Sequence, residues 1–594
     1  MRRKFLIFLV ITQLLVISIF PITNAKRIEI KSIVNEDENY EYIIITNEDL
    51  KNAQTNYTFQ DLINSKKDKG LTAKIFTVEE ITNNPDYSVN GKWGDANPNN
   101  PFYETEITKN IDLFDDTAAK IRNFIRYAYT ELGTIYVLLA GDADKIKTED
   151  NIIPVRGLFA DEDGLPLSQS SLILEEDDIP SDIYYACLDG NYNYDCDNHF
   201  GEAPKYNDIN DLDEADLTAE VYVGRACVDS EEEVSNFVKK TITYDQSAEE
   251  YLSEILFVGE SLGTWFYTPW GGDYKDQIQK HVSPEYNISK FYDRDHPANY
   301  WRPEELRNLL NTKTPHIINH DGHGNKDLIL KSHGTYFSKQ YLKNNNSFFI
   351  YSHSCYTGAF DNLDCHSGYE ETDCIAEILT VENPYGAFAC ILNARYGLGS
   401  EDTIESPSGL YDESFYKALF VENIKKLGPA NHYSKEYYID RIEENGMRWC
   451  YYQTNLFGDP EISIKVPNNY PETPEINGPK IGKTGTNQNY NISLNDPNND
   501  KIIKIEIQFG EEIITINAPD DGWESGSIKT FNYSYNKKGI YQIKARIQDE
   551  HGAWSQYSNH KIIIPKTKIF NLNIIKILQE NPIINYLIKL LFIK

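Results

Sequence analysis

Apolar strands that alternate with amphipathic helices constrain this chain more than any other feature of its sequence. The segments YIIITN, TIYVLLAGD and AEVYVGR are apolar and rich in β-branched residues, and helical patterns such as AAKIRNFIRYAYTELG and EEEVSNFVKKTITYDQ lie among them. Strands that are buried on both faces and joined by helices form parallel sheets. Residues 26–250 are therefore predicted to form an N-terminal α/β unit with a largely parallel sheet.

A second α/β unit is predicted over residues 251–466. Its candidate strands are EILFVGE, PHIINHDGHGN, SFFIYSHSCYTGAF and GAFACILNARYGLG, and a helical segment containing CIAEILT precedes the last of them. These strands deliver polar residues, among them Glu260, His323 and Cys355, at their C-terminal ends. Because open parallel sheets bind their ligands at that edge, we expect the functional site there.

The sequence changes in character after residue 466. Residues 467–565 contain short alternating stretches, such as KIIKIEIQF and IYQIKARIQD, between clusters of Asn, Asp, Gly and Pro, which predicts an all-β sandwich. Residues 566–594 hold two apolar helical blocks, and neither is long enough to span a bilayer. We interpret this amphipathic tail as an interfacial anchor or a sorting signal, and helices packed on the protein are the alternative.

The N-terminus indicates export. Residues 1–25, MRRKFLIFLVITQLLVISIFPITNA, combine a basic start, an apolar run and small residues at the end, which is typical of a secretory signal peptide. An uncleaved membrane anchor is the alternative, and either one places the remainder outside the cell or on its surface. Export permits disulfides, and two pairs are left open by the sequence: Cys187 with Cys196, and Cys365 with Cys374.

Composition and charge narrow the possible partners. The chain is 40% hydrophobic and 13% aromatic, which is far from the composition of disordered proteins. It carries 57 Lys and Arg against 91 Asp and Glu, for a formal net charge of −34 at pH 7. Nucleic acid phosphates would be repelled by such a surface, so we expect no nucleic acid partner. We expect the protein to be a monomer.

His323 and Cys355 together are able to perform nucleophilic catalysis. A thiolate is a strong nucleophile, and a nearby imidazole favours it or protonates a leaving amine. Gly324 lacks a side chain, so its N–H would approach a substrate carbonyl closely and form an oxyanion hole with the amide of Cys355. A buried structural cysteine is the alternative for Cys355 alone. His320 and His353 compete for the histidine role, and His323 is preferred because, of the three, only it precedes a glycine.

These motifs resemble the His-Gly and Cys blocks of the gingipain-like cysteine peptidases. Further blocks of that family occur in the same order, namely YIIITNEDL, VLLAGDADKI, SDIYYACLDGN, AEVYVGR and NLFGDPEISI, so that the resemblance covers residues 40–466. It implies two tandem caspase-like α/β units, followed by an immunoglobulin-like domain. It also implies a secreted cysteine endopeptidase that acts on protein or peptide substrates.

The resemblance assigns roles to two carboxylates. Glu260, in EILFVGESLG, matches the acidic residue beside the histidine, where it would orient the imidazole and stabilise its cationic form. Asp273, in WGGDYKDQI, resembles the acidic residue at the base of the substrate pocket in arginine-specific members, where it would select a basic P1 side chain. Asp276 is close to it, and a solvated surface carboxylate is the alternative for both roles.

A loop with the sequence LDGNYNYDCDNHFGE is interpreted as a calcium site. It alternates oxygen donors, as calcium loops do, although it does not follow the EF-hand register. The predicted ligands are Asp189, Asn191, Asn193, Asp195, Asp197 and Glu202. The resemblance supports structural calcium, because gingipain-like enzymes bind it, and an acidic solvated loop is the alternative. No HExxH or comparable ligand helix is present, so we expect no catalytic metal.

Hydrolysis of peptide bonds through an acyl-enzyme on Cys355 is the leading hypothesis for function. One alternative is a cell-surface adhesin or scaffold that has the same fold without turnover. Another is a transpeptidase, in which an amine replaces water as the acceptor of the acyl group. The intact pair of His323 and Cys355 favours an enzyme over a scaffold, and product analysis separates hydrolysis from transfer.

Overall fold

The computed structural model describes residues 39–565, apart from 104–113, 145, 147–150, 161–177, 195, 197–198, 203–212, 248–249, 445, 466, 468–469, 520 and 551. The predicted signal peptide and the predicted C-terminal tail lie outside the described residues. The chain divides into two compact units between Val466 and Pro467. This is also the position at which the sequence changes in character. In the described ranges, no helix has the length and apolar character needed to cross a bilayer.

A ten-stranded sheet forms the centre of the first unit. In chain order its strands are β1 Tyr42–Thr46, β2 Ala73–Thr77, β3 Tyr136–Ala140, β4 Tyr222–Ala226, β5 Glu254–Gly259, β6 Asn287–Tyr292, β7 Ile317–Asp321, β8 Phe348–Ser352, β9 Ala387–Asn393 and β10 Thr454–Phe457. Their order across the sheet is β6-β5-β7-β8-β9-β10-β4-β3-β1-β2. All neighbours are parallel except β9 and β10.

The mixed α/β class and the largely parallel sheet are thus confirmed. Every residue of β1, β3, β7, β8 and β9 is buried, which explains why these strands are continuous apolar runs rather than alternating ones. The first predicted α/β unit supplies β1 to β4 and the second supplies β5 to β10. Both belong to one sheet, because β10 of the second pairs with β4 of the first.

Helices flank this sheet. Those of seven or more residues are α1 Phe59–Asp68, α2 Thr117–Leu132, α3 Glu231–Gln246, α4 Gly271–Ile278, α5 Pro303–Thr312, α6 Pro407–Phe420, α7 Leu427–Glu436 and α8 Met447–Gln453. Shorter α-helices span Glu48–Lys51, Val78–Thr82, Ile183–Ala186 and Ile375–Glu377. The predicted CIAEILT helix is only Ile375–Glu377, and it continues as a π-helix over Ile378–Glu382.

The two faces of the sheet pack against different cores. Along β5, Leu256 and Val258 join one buried cluster, whereas Ile255 and Phe257 join another. Successive side chains of a strand point to opposite faces, so both faces are covered. Short antiparallel ribbons lie outside the large sheet: Gly157–Phe159 with Asp178–Pro180, Gly190–Asn191 with Glu214–Ala215, Leu328–Ile329 with Ser332–His333, and Leu363–Asp364 with Gly368–Tyr369.

The second unit consists of two antiparallel sheets. Its strands are β11 Ile476–Asn477, β12 Asn487–Leu494, β13 Ile502–Phe509, β14 Glu512–Asn517, β15 Ser527–Ser534, β16 Gly539–Asp549 and β17 Ser558–Ile564. One sheet has the order β11-β12-β15 and the other has the order β14-β13-β16-β17. Buried residues of both sheets, including Tyr490, Ile505 and Ile543, form one apolar core.

Candidate active site

Polar groups from neighbouring strand ends meet at one edge of the large sheet. Glu260 follows β5, His323 lies two residues after β7, and Cys355 lies three residues after β8. Because β5, β7, β8 and β9 are adjacent and parallel, their C-terminal ends share that edge. A cavity at this edge opens to solvent, and about 430 Å³ of space without protein atoms, open solvent included, lies in its mouth and interior. Its lining comprises Leu262, Phe266, Tyr274, Asp321, Gly322, His323, His353, Cys355, Gly397, Leu398 and Gly399.

Cys355 lies in a tight turn that the surrounding structure holds in place. The next residue, Tyr356, has a φ of 58°, a left-handed conformation that costs a bulky residue on the order of 1 kcal/mol. Its N–H donates to the carbonyl of Arg395 at 2.9 Å. The buried guanidinium of Arg395 in turn pairs with Asp361 at 2.6 Å. The turn therefore presents the sulfur to the cavity in a fixed direction.

The Cys355 thiol needs a base to react at neutral pH. Burial raises its pKa above the ordinary cysteine value, although the backbone N–H of Gly397 donates to the sulfur at 3.4 Å and acts in the opposite direction. The resting form is accordingly the thiol. A neighbouring imidazole is the group that would accept its proton.

His323 is oriented by a backbone carbonyl. Its Nε2 lies 3.1 Å from the carbonyl oxygen of Ser261, which only accepts hydrogen bonds. Nε2 therefore carries a proton, and Nδ1 is the nitrogen that remains to act as the base. The carbonyl belongs to the backbone, so no side-chain pattern in the sequence identifies it.

Glu260 reaches His323 through the backbone and not through the ring. Its Oε2 accepts the backbone N–H of His323 at 3.4 Å, and its Oε1 lies 3.0 Å from Nε2 of His320. The His320 ring is buried, and its Nδ1 lies 3.0 Å from the hydroxyl of Ser352 and 3.1 Å from that of Ser354. Burial lowers the pKa of His320. This histidine therefore links β5, β7 and the segment before Cys355.

Two glycines allow the loops to approach one another. A Cβ at Gly322 would lie 2.4 Å from Cδ of Glu260. A Cβ at Gly324 would lie 2.6 Å from Cβ of Ser354 and 2.7 Å from Cγ2 of Thr357. The absence of a side chain at position 324 thus brings the loop of the histidine against the loop of the cysteine. The predicted oxyanion donors, the amides of Gly324 and Cys355, lie on these two loops.

His353, which competes with His323 in the sequence, also lines the cavity. Its Nε2 lies 3.0 Å from Nζ of Lys275, which forms an ion pair with Asp412 at 2.6 Å and donates to Asn319 at 2.7 Å. Burial, together with the nearby charge of Lys275, holds the pKa of His353 well below its usual range. This histidine is therefore neutral and accepts from the lysine.

Asp321 is a carboxylate of the cavity that the sequence analysis did not single out. It is the last residue of β7, and among the described residues its buried Oδ2 has no hydrogen-bond partner. Burial raises its pKa to about 7, against the opposing effect of Lys275. The HDGHGN motif contains this aspartate, but only the fold shows that its side chain faces the cavity.

Asp273 does not line the cavity. It lies in the first turn of α4, forms an ion pair with Arg294 and accepts the hydroxyl hydrogen of Thr268. Asp276 pairs with Lys290 at 2.7 Å and also with Arg294. Both carboxylates are thus engaged by cations on the surface. The structure brings His323 and Cys355 to the cavity but leaves Asp273 outside it.

The predicted calcium loop is described only in part, because Asp195 and Asp197 lie outside the described residues. Asn191, Asn193 and Glu202 are buried, and Asn191 Oδ1 accepts the N–H of Asn193 at 3.1 Å. Oδ1 of Asp189 is buried and accepts no hydrogen bond from a donor in the described part of the chain, and the carboxylate of Glu220 lies within hydrogen-bonding reach of Asp189, an arrangement that fits a nearby cation. These donors are oxygens, the ligand type that calcium prefers.

Asp213 organises the same loop. Its carboxylate accepts the N–H groups of Tyr194 at 2.6 Å, Gly201 at 2.7 Å and Glu202 at 3.2 Å. The sequence analysis did not single it out within the acidic run NDINDLDEAD. No disulfide joins any two of the eight cysteines, so neither of the pairs left open by the sequence forms a bridge in this structure.

Comparison with known families decides the classification. The sequence model of Peptidase family C25 matches residues 35–465. The chain belongs to this family. C25 is the gingipain family, so the resemblance read from the motifs is confirmed. A C25 enzyme is a cysteine peptidase with a caspase-like fold that acts on proteins.

Other comparisons add little to the C25 assignment. No curated protein matches the chain. Among solved structures, the PKD domain of an M14-like peptidase from a Thermoplasmatales archaeon is 30% identical, covers 17% of this chain and 99% of its own, and has a TM-score of 0.16. Fibronectin(III)-like modules of Clostridium thermocellum CbhA are 15% identical and cover 20% of this chain and 58% of theirs, with a TM-score of 0.15. TM-scores this low do not show a shared fold over the chain.

Proposed function

We propose that this C25 peptidase is an exported endopeptidase that hydrolyses peptide bonds through Cys355 and His323. One observation carries the proposal: both side chains line the same solvent-open cavity, at the edge where neighbouring parallel strands end. His320 and His353 are poorer candidates for the base. His320 is buried with both ring nitrogens in contact with other groups, and His353 is held by Lys275.

The reaction proceeds through an acyl-enzyme. Nδ1 of His323 takes the thiol proton, the thiolate of Cys355 attacks the carbonyl carbon, and the oxyanion accepts hydrogen bonds from the amides of Gly324 and Cys355. His323 then protonates the departing amine, and water, with His323 as base, releases the acid. Glu260 acts as a positioning group, since it holds the His320 ring and the His323 backbone N–H.

A basic P1 residue is the preference that the cavity favours. Asp321 supplies a buried carboxylate oxygen without a protein donor, and a guanidinium or ammonium group of the substrate would provide one. Asp273, the residue that the family resemblance suggests, is engaged by Arg294 instead. In this proposal Asp321 therefore carries the selection of basic residues.

Export, a supporting ion and an accessory domain complete the proposal. Residues 1–25 direct export, and the sandwich of residues 467–565 is an immunoglobulin-like module.

Calcium is held by Asp189, Asn191, Asn193, Asp195, Asp197 and Glu202, where it offsets carboxylate repulsion and takes no part in the chemistry. EGTA is then expected to lower the Tm of the protein, and added calcium to restore it; an unchanged Tm would count against the ion.

The test is hydrolysis of fluorogenic peptides with Arg, Lys, Asp or Leu at P1, under reducing conditions with calcium. The Cys355→Ala and His323→Ala variants are expected to lose essentially all activity. Cys365→Ala, which removes a different partly exposed thiol, is expected to keep it. Product analysis by mass spectrometry should find free carboxyl termini. If the wild-type protein were as inactive as Cys355→Ala on every peptide and on unfolded proteins, the result would support the scaffold hypothesis. Products joined by a new amide bond would support a transpeptidase.

A further inference from the structure

A second group of ligand-type side chains lies away from the catalytic cavity. Asp142, Cys227 and Glu377 each offer one atom, and these atoms all lie within 4.8 Å of one another. Glu377 is 1% exposed and Cys227 is 4% exposed, while Asp142 is only partly buried, which leaves a path from solvent. None of the three lines the catalytic cavity. We call this group the Asp-Cys-Glu cluster.

Both halves of the large sheet contribute to the Asp-Cys-Glu cluster. Asp142 lies two residues after β3, and Cys227 comes directly after β4. These strands are parallel neighbours whose last residues are paired in register, so the two side chains arise at the same sheet edge. Glu377 comes from the short helix Ile375–Glu377, between β8 and β9. The cluster therefore depends on the assembled fold rather than on a local sequence motif.

A second observation is that two carboxylates of the cluster face each other without a protein donor between them in the described ranges. Glu377 Oε1 and Asp142 Oδ1 are buried, and neither accepts a hydrogen bond from an N–H or hydroxyl donor in the described part of the chain. The two carboxylates lie within hydrogen-bonding reach of each other. The other oxygen of Glu377 is satisfied, because it accepts the N–H of Cys374 at 2.6 Å. A buried carboxylate without a donor is costly, and two of them side by side repel each other. Either a cation or a shared proton would relieve this arrangement.

We infer that the Asp-Cys-Glu cluster is a binding site for a divalent cation of the zinc class. Zinc takes thiolate sulfur together with carboxylate oxygen, whereas calcium and magnesium take oxygen ligands. Three protein ligands leave a fourth position for water in a tetrahedral site. A bound zinc ion also keeps the Cys227 sulfur as a thiolate, which burial alone disfavours.

The site would support the catalytic loops, because the helix that carries Glu377 holds both of them. The N–H of Ile375 donates to the carbonyl of Lys326 at 2.9 Å, and Lys326 lies three residues after His323. The N–H of Ala376 donates to the carbonyl of Thr357 at 3.0 Å, and Thr357 lies two residues after Cys355. A metal ion on Glu377 thereby anchors this helix to β3 and β4. The three ligands are positioning residues and do not touch the substrate.

The test uses the full chain with Cys355→Ala, so that zinc on the catalytic thiol and self-cleavage are both excluded. After removal of metals under reducing conditions, Zn²⁺ is expected to bind and to raise the Tm. Adding Cys227→Ala should weaken Zn²⁺ binding at least tenfold and remove the rise in Tm. Cys390→Ala is the matched control, because Cys390 is a buried cysteine of the same apolar cluster, and it should leave both unchanged. With Co²⁺ as the probe, a thiolate-to-metal absorption band should appear in the Cys355→Ala protein. The band should be absent when Cys227→Ala is added.

Glu377→Gln distinguishes the competing occupants, since it keeps the size of the side chain and removes the repulsion. The inference requires this variant to lose Zn²⁺ binding as well. If no variant or parent binds Zn²⁺ and Glu377→Gln raises the Tm, the occupant is a shared proton and the inference fails. If Zn²⁺ binding survives Cys227→Ala, the thiolate assignment is overturned. Neither result depends on peptidase activity, so the proposed function is tested separately.

Discussion

At the scale of single residues, the catalytic edge depends on backbone groups as much as on side chains. The carbonyl of Ser261 fixes the ring of His323, and the N–H of Gly397 reaches the sulfur of Cys355. Glycine at position 324 lets the two loops touch. The groups proposed for catalysis are thus pre-oriented by peptide units, which lose little conformational entropy when a substrate binds.

The charge state of Asp321 should set the preference for basic substrates. Burial raises its pKa to about 7, so its anionic form, which binds a cation, is populated as the pH rises through that value. The ratio of kcat/KM for P1 Arg to that for P1 norleucine should therefore increase between pH 6 and pH 8. Taking a ratio cancels the pH dependence of the chemical step itself, because both substrates share it.

Asp321→Asn should lower this ratio about tenfold at pH 8 and make it independent of pH, since a charge-assisted hydrogen bond is lost. The matched control is Asp273→Asn, which changes an aspartate outside the cavity and should leave the ratio unaltered. The reverse outcome, in which Asp273→Asn abolishes the preference and Asp321→Asn does not, would restore the assignment that the family resemblance gives.

The sequence predicts the site residues unevenly, and the reason is physical. His323, Gly324 and Cys355 can be proposed from their motifs because each follows an apolar strand. Whether an aspartate faces solvent or a cavity depends on tertiary packing, so Asp321 and Asp273 cannot be told apart from sequence. These roles stay predictions until the variants are measured.

At the scale of elements, a buried ion pair joins pieces of the catalytic unit. Lys275 of α4 contacts Asp412 of α6 and Asn319 of β7, and both charged side chains are fully buried. Asn319 also donates to Asp412 at 2.6 Å. The network holds α4 and α6 on β7 immediately behind His353. Its members satisfy one another, so the removal of a single charge leaves the other one unpaired.

Lys275→Met should destabilise the protein strongly, by about 3–5 kcal/mol, because Asp412 would be left as a buried charge. Combining it with Asp412→Asn should recover most of this loss. Urea unfolding followed by near-UV circular dichroism measures both. The control is Lys339→Met, which removes an exposed lysine paired with exposed Glu232 and should leave the unfolding midpoint unchanged. A double variant no more stable than the single one would contradict the pairing argument.

Most central strands can be predicted from sequence, but their arrangement cannot. Strands buried on both faces are apolar throughout, so β3, β8 and β9 stand out in the sequence. By contrast, β6 is an edge strand with mostly exposed or half-buried residues, and β10 has only four residues. Nothing local to β10 shows that it pairs with β4, because that contact depends on the fold of the whole unit.

At the scale of the whole molecule, the chain divides into two compact units. Each compact unit has its own apolar core, and the boundary lies between Val466 and Pro467. The position near residue 250, which the sequence marks as a boundary between α/β units, falls between strands of a single sheet. A unit with its own core is able to fold alone, whereas half a sheet exposes an edge and an open core.

Truncation should separate these two kinds of boundary. A protein that ends at residue 466 should stay folded and cleave peptides with the kcat of the full chain. A protein that begins at residue 251 should be insoluble or lack cooperative unfolding, because β10 loses its partner β4. Thermal unfolding and peptide hydrolysis measure both. A soluble, active fragment of residues 251–466 would show that the second α/β half folds on its own.

The pairing of β4 with β10 also determines when the sheet is completed during synthesis of the chain. Phe457 of β10 lies opposite Arg225 of β4, although the ribosome makes these residues 232 positions apart. The sheet is complete only when nearly the whole peptidase unit has been synthesised, well after Cys355. Closing such a distant contact is slow. A nascent chain therefore already contains Cys355 before the ten-stranded sheet is complete.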